Sequence, residues 1–552
     1  MATHLNRAAA LLPVAAMALG GLLLIPAPAQ AASGVNVSNG ALNVTAQAGK
    51  DNQISIQFNS AAGAFNVIDN GDTVTAGAGC TQVAANNVRC GSAGVGSVVV
   101  NAGDGDDVID ARTTVRAVVD AGTGVDQVLG SSKNDVISGG PDSDNLTGFD
   151  GGDTLNGGDG IDTMNGGNQR DTMDGGAGAD TFIGGADSDV ASYQSRTVRV
   201  VVDPDDTADD GQTGELDNVR SDVEEIVGGS AGDLLVGTTA DNRLVGNQGE
   251  DTLLGLGGKD RLFGSEGSDT LNGGAEDDQL SGFTGTDLFS GGAGIDRVLY
   301  DAHPASVRVS LNGKPDDGLF SGLNSTEQEN VPNDVEQING SQFNDNLQGN
   351  GLANRLVGLS GDDTLIGGPN VAGQDVADVL FGDFGHDSLL GGAGDDSLSG
   401  GADNDPRVDG QLGADDMFGD GGDDVLGGCA LCGNDNAPDF MMGGSGNDTV
   451  TYVDHGPVTV SLDGQANDGS TGANEGDNAF NDIENLQGSI GGGDVLIGNE
   501  VDNDIAGFGG NDILFGFDGN DDLDCGAGVN DHGLGGAGFD TAKDCETISE
   551  VP

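Results

Sequence analysis

An all-β solenoid, wound from short parallel strands in stacked coils, is the fold class this sequence predicts, and three observations predict it. Glycine returns every nine residues at Gly130, Gly139, Gly148, Gly157, Gly166, Gly175 and Gly184. An aspartate follows each glycine five places on, at Asp135, Asp144, Asp153, Asp162, Asp171, Asp180 and Asp189. Two residues after each aspartate stands an apolar side chain: Ile137, Leu146, Leu155, Met164, Met173, Phe182 and Ala191. A unit this short cannot bury its own apolar face, whereas a stack of such units can, so a fixed period means a repeat architecture. The 102 glycines, the absence of tryptophan and a hydrophobic content of only 36 % argue the same way against one large globular core.

The elements follow in chain order. Residues 1–31 read as an export signal, with Arg7, an apolar run from Ala8 to Ile25, and Ala29-Gln30-Ala31 as a small-x-small cleavage site. Pro13, Gly20 and Gly21 count against a membrane anchor, no second apolar stretch is long enough to span a bilayer, and the carboxyl-terminal tail carries no lipidation motif. Residues 32–102 lack the nine-residue step but alternate as strands do, as in Gln53-Ile54-Ser55-Ile56-Gln57-Phe58 and Ser97-Val98-Val99-Val100, which predicts a small β domain capping the first coil.

Four repeat blocks are expected, of about thirty-four units in all. The first, residues 103–191, begins at Asp107 and Asp126 and holds strict register from Asp135 to Asp189. The second, 228–299, runs through Asp233, Asn242, Asp251, Asp260, Asp269, Asp278, Asp287 and Asp296. The third, 340–451, holds Asp345, Asn354, Asp363, Asp378, Asp387, Asp396, Asp405, Asp415, Asp424, Asp439 and Asp448, with enlarged turns before Asp378 and Asp439. The fourth, 488–552, holds Asp494, Asn503, Asp512, Asp521, Asn530 and Asp540 and ends in a cap.

Three longer segments, 192–227, 300–339 and 452–487, divide the blocks and resemble one another. Each opens near one of the only three tyrosines, Tyr193, Tyr300 and Tyr452. Each continues with an alternating strand (Val198 to Val202, Val307 to Leu311, Val458 to Leu462) and an Asp-Gly turn (Asp210-Gly211, Asp317-Gly318, Asp468-Gly469). Each then closes on acids: Asp222-Val223-Glu224-Glu225-Ile226, Asp334-Val335-Glu336-Gln337-Ile338 and Asp482-Ile483-Glu484-Asn485-Leu486. A shared strand and a buried aromatic suit a structural cap, with a sugar platform on the tyrosine as the alternative. Asn242, Asn354 and Asn503 replace the aspartate just after each segment, and those positions read as weak or empty sites.

The spacing carries a definite chemistry. Glycines in the turn allow positive φ, so the backbone can aim its carbonyls inward. The last three residues of each unit make a strand whose middle side chain points to one face. Two units make a coil of eighteen residues, so Asp135, Asp153 and Asp171 form one column and Asp144, Asp162 and Asp180 another on the opposite edge, about 4.8 Å apart. Such columns repel unless a cation sits between them. Calcium takes six to eight oxygens at about 2.3–2.6 Å in flexible geometry, which aspartates and carbonyls of adjacent turns can supply, whereas magnesium demands a tighter octahedron. Every aspartate named in the four blocks is therefore a candidate metal ligand.

Charge points to the same ligand. With 91 acidic residues against 19 basic, the net charge is -72. Nucleic acid needs a basic stripe, and anionic lipid would be repelled, so neither is an expected partner. An acidic, aromatic-poor chain should stay unfolded through self-repulsion until cations neutralise it. The six cysteines fit an oxidising destination, with Cys80 and Cys90 able to close one turn, Cys525 and Cys545 bracketing the last coil, and Cys429 and Cys432 in an enlarged turn without the further ligands zinc would want. No catalytic constellation stands out. Gly228-Gly229-Ser230-Ala231-Gly232 spells a nucleophile elbow without a following helix, Gly533, Gly535 and Gly538 match a dinucleotide fingerprint without its strand-turn-helix, and His303, His386, His455 and His532 are scattered.

Two near-consensus copies, Gly273-Gly274-Ala275-Glu276-Asp277-Asp278-Gln279-Leu280-Ser281 and Gly391-Gly392-Ala393-Gly394-Asp395-Asp396-Ser397-Leu398-Ser399, resemble the calcium-binding nonapeptide of the RTX, or haemolysin-type, repeat proteins. The resemblance implies a parallel β-roll in several stacked blocks with calcium in the turns. Many family members carry an uncleaved carboxyl-terminal secretion signal, whereas this chain shows an amino-terminal one. The expected function is a secreted, non-catalytic calcium-binding scaffold, extracellular or attached to the cell surface. It would fold cooperatively at roughly 0.1–1 mM calcium with about 20 to 26 sites. The alternatives are a calcium-dependent adhesin or matrix protein that binds a cell-surface or matrix component, and an RTX-linked hydrolase or lyase with its active site in residues 32–102.

Overall fold

In the repeat, the nine-residue unit becomes one short strand and one turn. In Thr154–Gly160, Leu155 is buried while Thr154 and Asn156 face outward, the two-residue alternation a strand imposes. The next strand on the same face lies eighteen residues on, in parallel register, with Thr154 opposite Thr172 and Leu155 opposite Met173. The intervening units form the other face, where Asn145–Asp150, Thr163–Asn168 and Thr181–Ala186 pair in the same way. Between the faces Ile137, Leu146, Leu155, Met164, Met173, Phe182 and Ala191 are at most 1 % exposed. Wherever the strict period holds, the fold is thus the all-β parallel roll.

The computed structural model describes residues 33–319, 328–369, 376–427, 437–471 and 475–549. The expected export signal, Cys429 and Cys432 lie outside them. The chain divides into two units, Met1–Gly267 and Ser268–Pro552. Among the described residues of both the secondary structure is strand, and no helix is long and apolar enough to cross a membrane.

In the first unit one parallel ladder runs from Ser97–Asn101 through Arg116–Asp120 and the repeat strands to Arg261–Glu266. The opposing ladder runs from Gln53–Asn59 through Val108–Asp110 to Asn218–Val219. The segment ahead of the repeats is built differently, from antiparallel pairs such as Ser33–Ser38 with Ala41–Thr45 and Ala64–Asp69 with Asn87–Gly91. A Cys80–Cys90 disulfide ties its outer hairpin. Its strands Ala41–Thr45 and Gln53–Asn59 then pair in parallel with Ser97–Asn101 and Val108–Asp110, so the segment feeds straight into both faces of the roll.

The second unit repeats the plan. One ladder runs from Gln279–Thr284 to Asn478–Ala479, and another from Val307–Ser310 to Thr541–Lys543. A third runs from Val458–Ser461 to Thr547–Ser549, and the Cys525–Cys545 disulfide staples its neighbourhood.

Each tyrosine segment carries one ladder through and closes the other, whose place is taken by a new ladder begun on the segment's own strand. Each throws out a small antiparallel hairpin, Val200–Val202 with Gly211–Gln212, Val307–Ser310 with Gly318–Leu319, and Val458–Ser461 with Gly469–Ser470. Each then re-enters in register, Glu225–Val227 on Val190–Ser192, Gln337–Asn339 on Arg297–Leu299, and Asn485–Gln487 on Thr449–Thr451. The tyrosine rings are 1–2 % exposed, and their hydroxyls donate to Asp217, Glu329 and Asp477. A ring buried this deeply has no face to offer a sugar, which corrects the platform alternative.

Candidate metal centres in the turns

Glycine shapes each turn. Gly158 holds φ at +118°, and a Cβ there would lie 2.7 Å from the carbonyl carbon of Gly140 in the coil before, whereas Phe149, Phe283 and Leu359 at the same turn position hold φ at +83°, +75° and +84°. A second glycine guards the carboxylate. At Gly419 a Cβ would meet Asp424 Oδ2 and the Gly443 carbonyl oxygen of the next coil, each at 2.5 Å. A carboxylate oxygen and a backbone carbonyl from successive turns thus converge on one small space.

The aspartates themselves form a hydrogen-bonded column. Oδ1 of each accepts the backbone N–H of the aspartate one coil earlier: Asp144 to Asp162 at 2.7 Å, Asp153 to Asp171 at 2.7 Å, Asp363 to Asp387 at 2.8 Å, Asp405 to Asp424 at 2.8 Å. Oδ2 is left over. It is buried without a hydrogen-bond partner at Asp107, Asp126, Asp144, Asp153, Asp162, Asp171, Asp180 and Asp189, and again at Asp296, Asp363, Asp387, Asp396, Asp405, Asp424, Asp448, Asp512, Asp521 and Asp531. One buried acceptor left bare costs about 1–3 kcal/mol, more when charged, so a column of them requires a proton or a cation. Burial pushes the Asp153 and Asp363 carboxyls up to about 8, against the backbone donor that holds them down, with neighbouring carboxylates adding to the rise. Asp144, Asp180, Asp189, Asp405 and Asp448 are pushed to about 7 for the same first reason. Bare carboxylate oxygens beside carbonyls form a hard, all-oxygen donor set, which fits calcium.

The remaining candidates sort by their partners. Asp251, Asp260, Asp269, Asp278, Asp287, Asp378, Asp415 and Asp439 are buried at the same register position, whereas Asp540, near the chain end, is half-buried. Asp107 stands one coil from Asn52, whose backbone and side-chain N–H groups donate to its Oδ1. Asp135, Asp233, Asp345 and Asp494 are different, because the protein satisfies both oxygens. Oδ2 takes the N–H of Ser131, Gly229, Ser341 and Ser489 respectively, and Oδ1 takes that of Ala117, Val200, Val307 and Val458. The three asparagines are likewise engaged: Oδ1 of Asn242, Asn354 and Asn503 accepts from Thr238, Asn350 and Asn499, and Nδ2 donates to the carbonyls of Glu224, Glu336 and Glu484.

Several column members escape the nine-residue count. Asp531, not Asn530, takes the N–H of Asp512, because this coil is nineteen residues long. Asp217 and Asp477 take those of Asp180 and Asp439, while Glu224, Glu336, Glu484 and Glu546 take those of Asp189, Asp296, Asp448 and Asp531. Most lie 35 to 40 residues beyond their partner, past a hairpin that hides the register. The recurrent Asp-x-Glu of the acidic closes was the available signal. The elbow string proves to be part of such a turn, with Gly229 N–H on Asp233 and the Ser230 hydroxyl on the Arg196 carbonyl.

A family described as the RTX calcium-binding nonapeptide repeat matches residues 92–113, 120–155, 156–191, 227–262, 263–298, 336–370, 373–405, 407–426, 435–451, 490–523 and 497–531, together more than half of the chain. No curated protein matches the chain. With glycine turns, a parallel roll and a column of acids all in the family's register, this chain belongs to the RTX calcium-binding nonapeptide repeat family.

Proposed function

We propose that this calcium-binding repeat protein is a secreted, non-catalytic scaffold that becomes ordered when it meets extracellular calcium. One observation carries the reading: buried Oδ2 atoms recur without partners, coil after coil, and from Asp144 onward each stands beside a glycine. Calcium ligation there falls to the register aspartates of the roll interiors, with turn carbonyls completing the shell. The opening positions, Asp135, Asp233, Asp345 and Asp494 with Asn242, Asn354 and Asn503, fall outside the set because the protein already satisfies them. Because such sites exist only in the stacked form, binding free energy becomes folding free energy.

Export is supported by the amino-terminal signal pattern and by two disulfides, which persist in oxidising surroundings. The scaffold role is supported by chemistry spent on stacking: most buried acids belong to columns or to tyrosine caps, while Asp69 holds a turn and Asp409 and Glu225 pair with arginines.

The deciding experiment is a calcium titration of the mature chain, followed by far-ultraviolet circular dichroism and by bound calcium per chain, with magnesium as control. The expected result is a cooperative coil-to-strand transition at roughly 0.1–1 mM calcium that magnesium does not reproduce. A chain equally folded in chelator, or one that binds no calcium at about 10 mM, would overturn the reading.

A further inference from the structure

The two columns of a roll end differently. One ends on an acid held by tyrosine: Asp217 accepts the Asp180 N–H on Oδ1 and the Tyr193 hydroxyl on Oδ2, and Asp477 stands in the same way to Asp439 and Tyr452. No oxygen is left over there. The other column ends on the Asp-x-Glu close. Its middle residue, Val223, Val335 or Ile483, is fully buried and anchors the motif in the core. Its glutamate then stands where the next aspartate would, and Oε2 of Glu224, Glu336 and Glu484 accepts the N–H of Asp189, Asp296 and Asp448 at 2.9–3.0 Å.

The aspartate of the motif imitates a glycine turn. Asp222 takes the N–H groups of Gly184 and Gly185 on its carboxylate at 3.2 and 3.1 Å, and Asp482 takes that of Gly444 at 3.1 Å. A Cβ on Gly291 would lie 2.5 Å from the Asp334 carbonyl oxygen and 2.6 Å from Asp296 Oδ2, the same convergence found at Gly419 inside the roll. The Asp222 carbonyl and Asp189 Oδ2 flank Gly184 in the same manner. Asp189, Asp296 and Asp448 show no exposed surface, and each Oδ2 has no hydrogen-bond partner. At Asp189 and Asp296, then, a bare buried carboxylate oxygen meets a substitute carbonyl, and at all three ends the backbone of that aspartate meets a second carboxylate brought from about 35 to 40 residues away.

We propose that each of these column ends is a divalent-cation site of its own kind, taking calcium between the last repeat aspartate and the Asp-x-Glu close: Asp189 with Asp222 and Glu224, Asp296 with Asp334 and Glu336, Asp448 with Asp482 and Glu484. The proposal rests on the reading of the repeat turns as calcium sites. It assigns a ligand role to three glutamates outside the nonapeptide pattern. Binding there pins the returning end of each hairpin segment to the roll, which couples the segment's docking to calcium.

The test uses the full mature chain carrying Glu224→Gln, Glu336→Gln and Glu484→Gln together. Glutamine keeps a carbonyl to accept the aspartate N–H but removes the charge, so a purely hydrogen-bonding role would survive. Bound calcium per chain is measured by equilibrium dialysis at about 1 mM calcium, beside circular dichroism. A loss of about three ions per chain with the strand spectrum retained is expected. Unchanged stoichiometry overturns the proposal while leaving the repeat sites standing, and a wild-type chain that binds no calcium overturns both. Should the triple variant not fold, the single Glu484→Gln chain decides: loss of about one ion supports the site, and no loss refutes it.

Discussion

Turns that open a roll and turns inside it bury their carboxylates equally but satisfy them by different means. Asp345 and Asp363 are 4 % and 2 % exposed, neighbours in one column, and linked by the Asp345 N–H on Asp363 Oδ1. Asp345 also receives the N–H and hydroxyl of Ser341, whereas Asp363 Oδ2 receives nothing. Burial raises both carboxyls, to about 6 at Asp345, where donors from Val307 and Ser341 hold it down, and to about 8 at Asp363, where Asp345 and Asp387 crowd it further. The turns explain the contrast: Ser341 turns its N–H onto Asp345 Oδ2 and its hydroxyl onto Oδ1, whereas the Gly358-Leu359-Ser360-Gly361 turn leaves Asp363 Oδ2 bare. The same backbone can therefore close on a donor of its own or wait for a cation, and the second, third and fourth blocks begin with the first kind.

Four measurements would break or sharpen that comparison. The largest effect belongs to calcium removal. At pH 8 chelation should abolish most of the strand signal in circular dichroism, and hydrogen exchange should show the interior coils opening before the serine-held turns. Gly158→Ala comes next. At φ +118° its Cβ would collide with the Gly140 carbonyl, so the stack should break locally at a cost of about 3 kcal/mol or more, read as a higher calcium midpoint.

Acidity should have a moderate effect of definite sign. In the metal-free folded form carboxyls such as Asp153, Asp144 and Asp162 sit at about 8, 7 and 6, above the ordinary 3.8, so that form binds more protons than the unfolded chain. Its stability is fully present below the unfolded value and is lost as pH rises through about 6–8. Metal-free protein should thus gain strand content between pH 8 and pH 4, while calcium binding weakens over the same descent as protons compete. Unchanged metal-free spectra across that range would mean the carboxyls are not buried together without metal. The smallest effect separates the two kinds of turn directly. Ser341→Ala should cost about 1 kcal/mol in urea unfolding, alike at low and high calcium and with no ion lost. Asp363→Asn should instead lower bound calcium and leave that calcium-independent stability nearly untouched.

Much of the site was legible because its periods are covalent. A carboxylate five residues after a glycine is a local relation, and stacking only repeats it, so the column Asp135, Asp153, Asp171 could be counted off the chain. The count failed where the coil changed length, at Asp531, and where a hairpin intervened, at Asp217, Glu224, Glu336, Asp477 and Glu484. No local spacing encodes a partner 35 to 40 residues away. The amino-terminal strands were readable from their alternation, but their switch from antiparallel to parallel pairing was not, because pairing direction depends on which edge is free to receive them.

The sequence by itself therefore determined the unit, its turn chemistry, its buried apolar face and the identity of the cation, since each follows from residues within one or two repeats. Only the tertiary structure decided which carboxylates are already satisfied, which are left bare, and what closes each column. Those are properties of neighbours brought together by stacking, and a buried oxygen's need for a proton, a donor or a metal exists only once water has been excluded from around it.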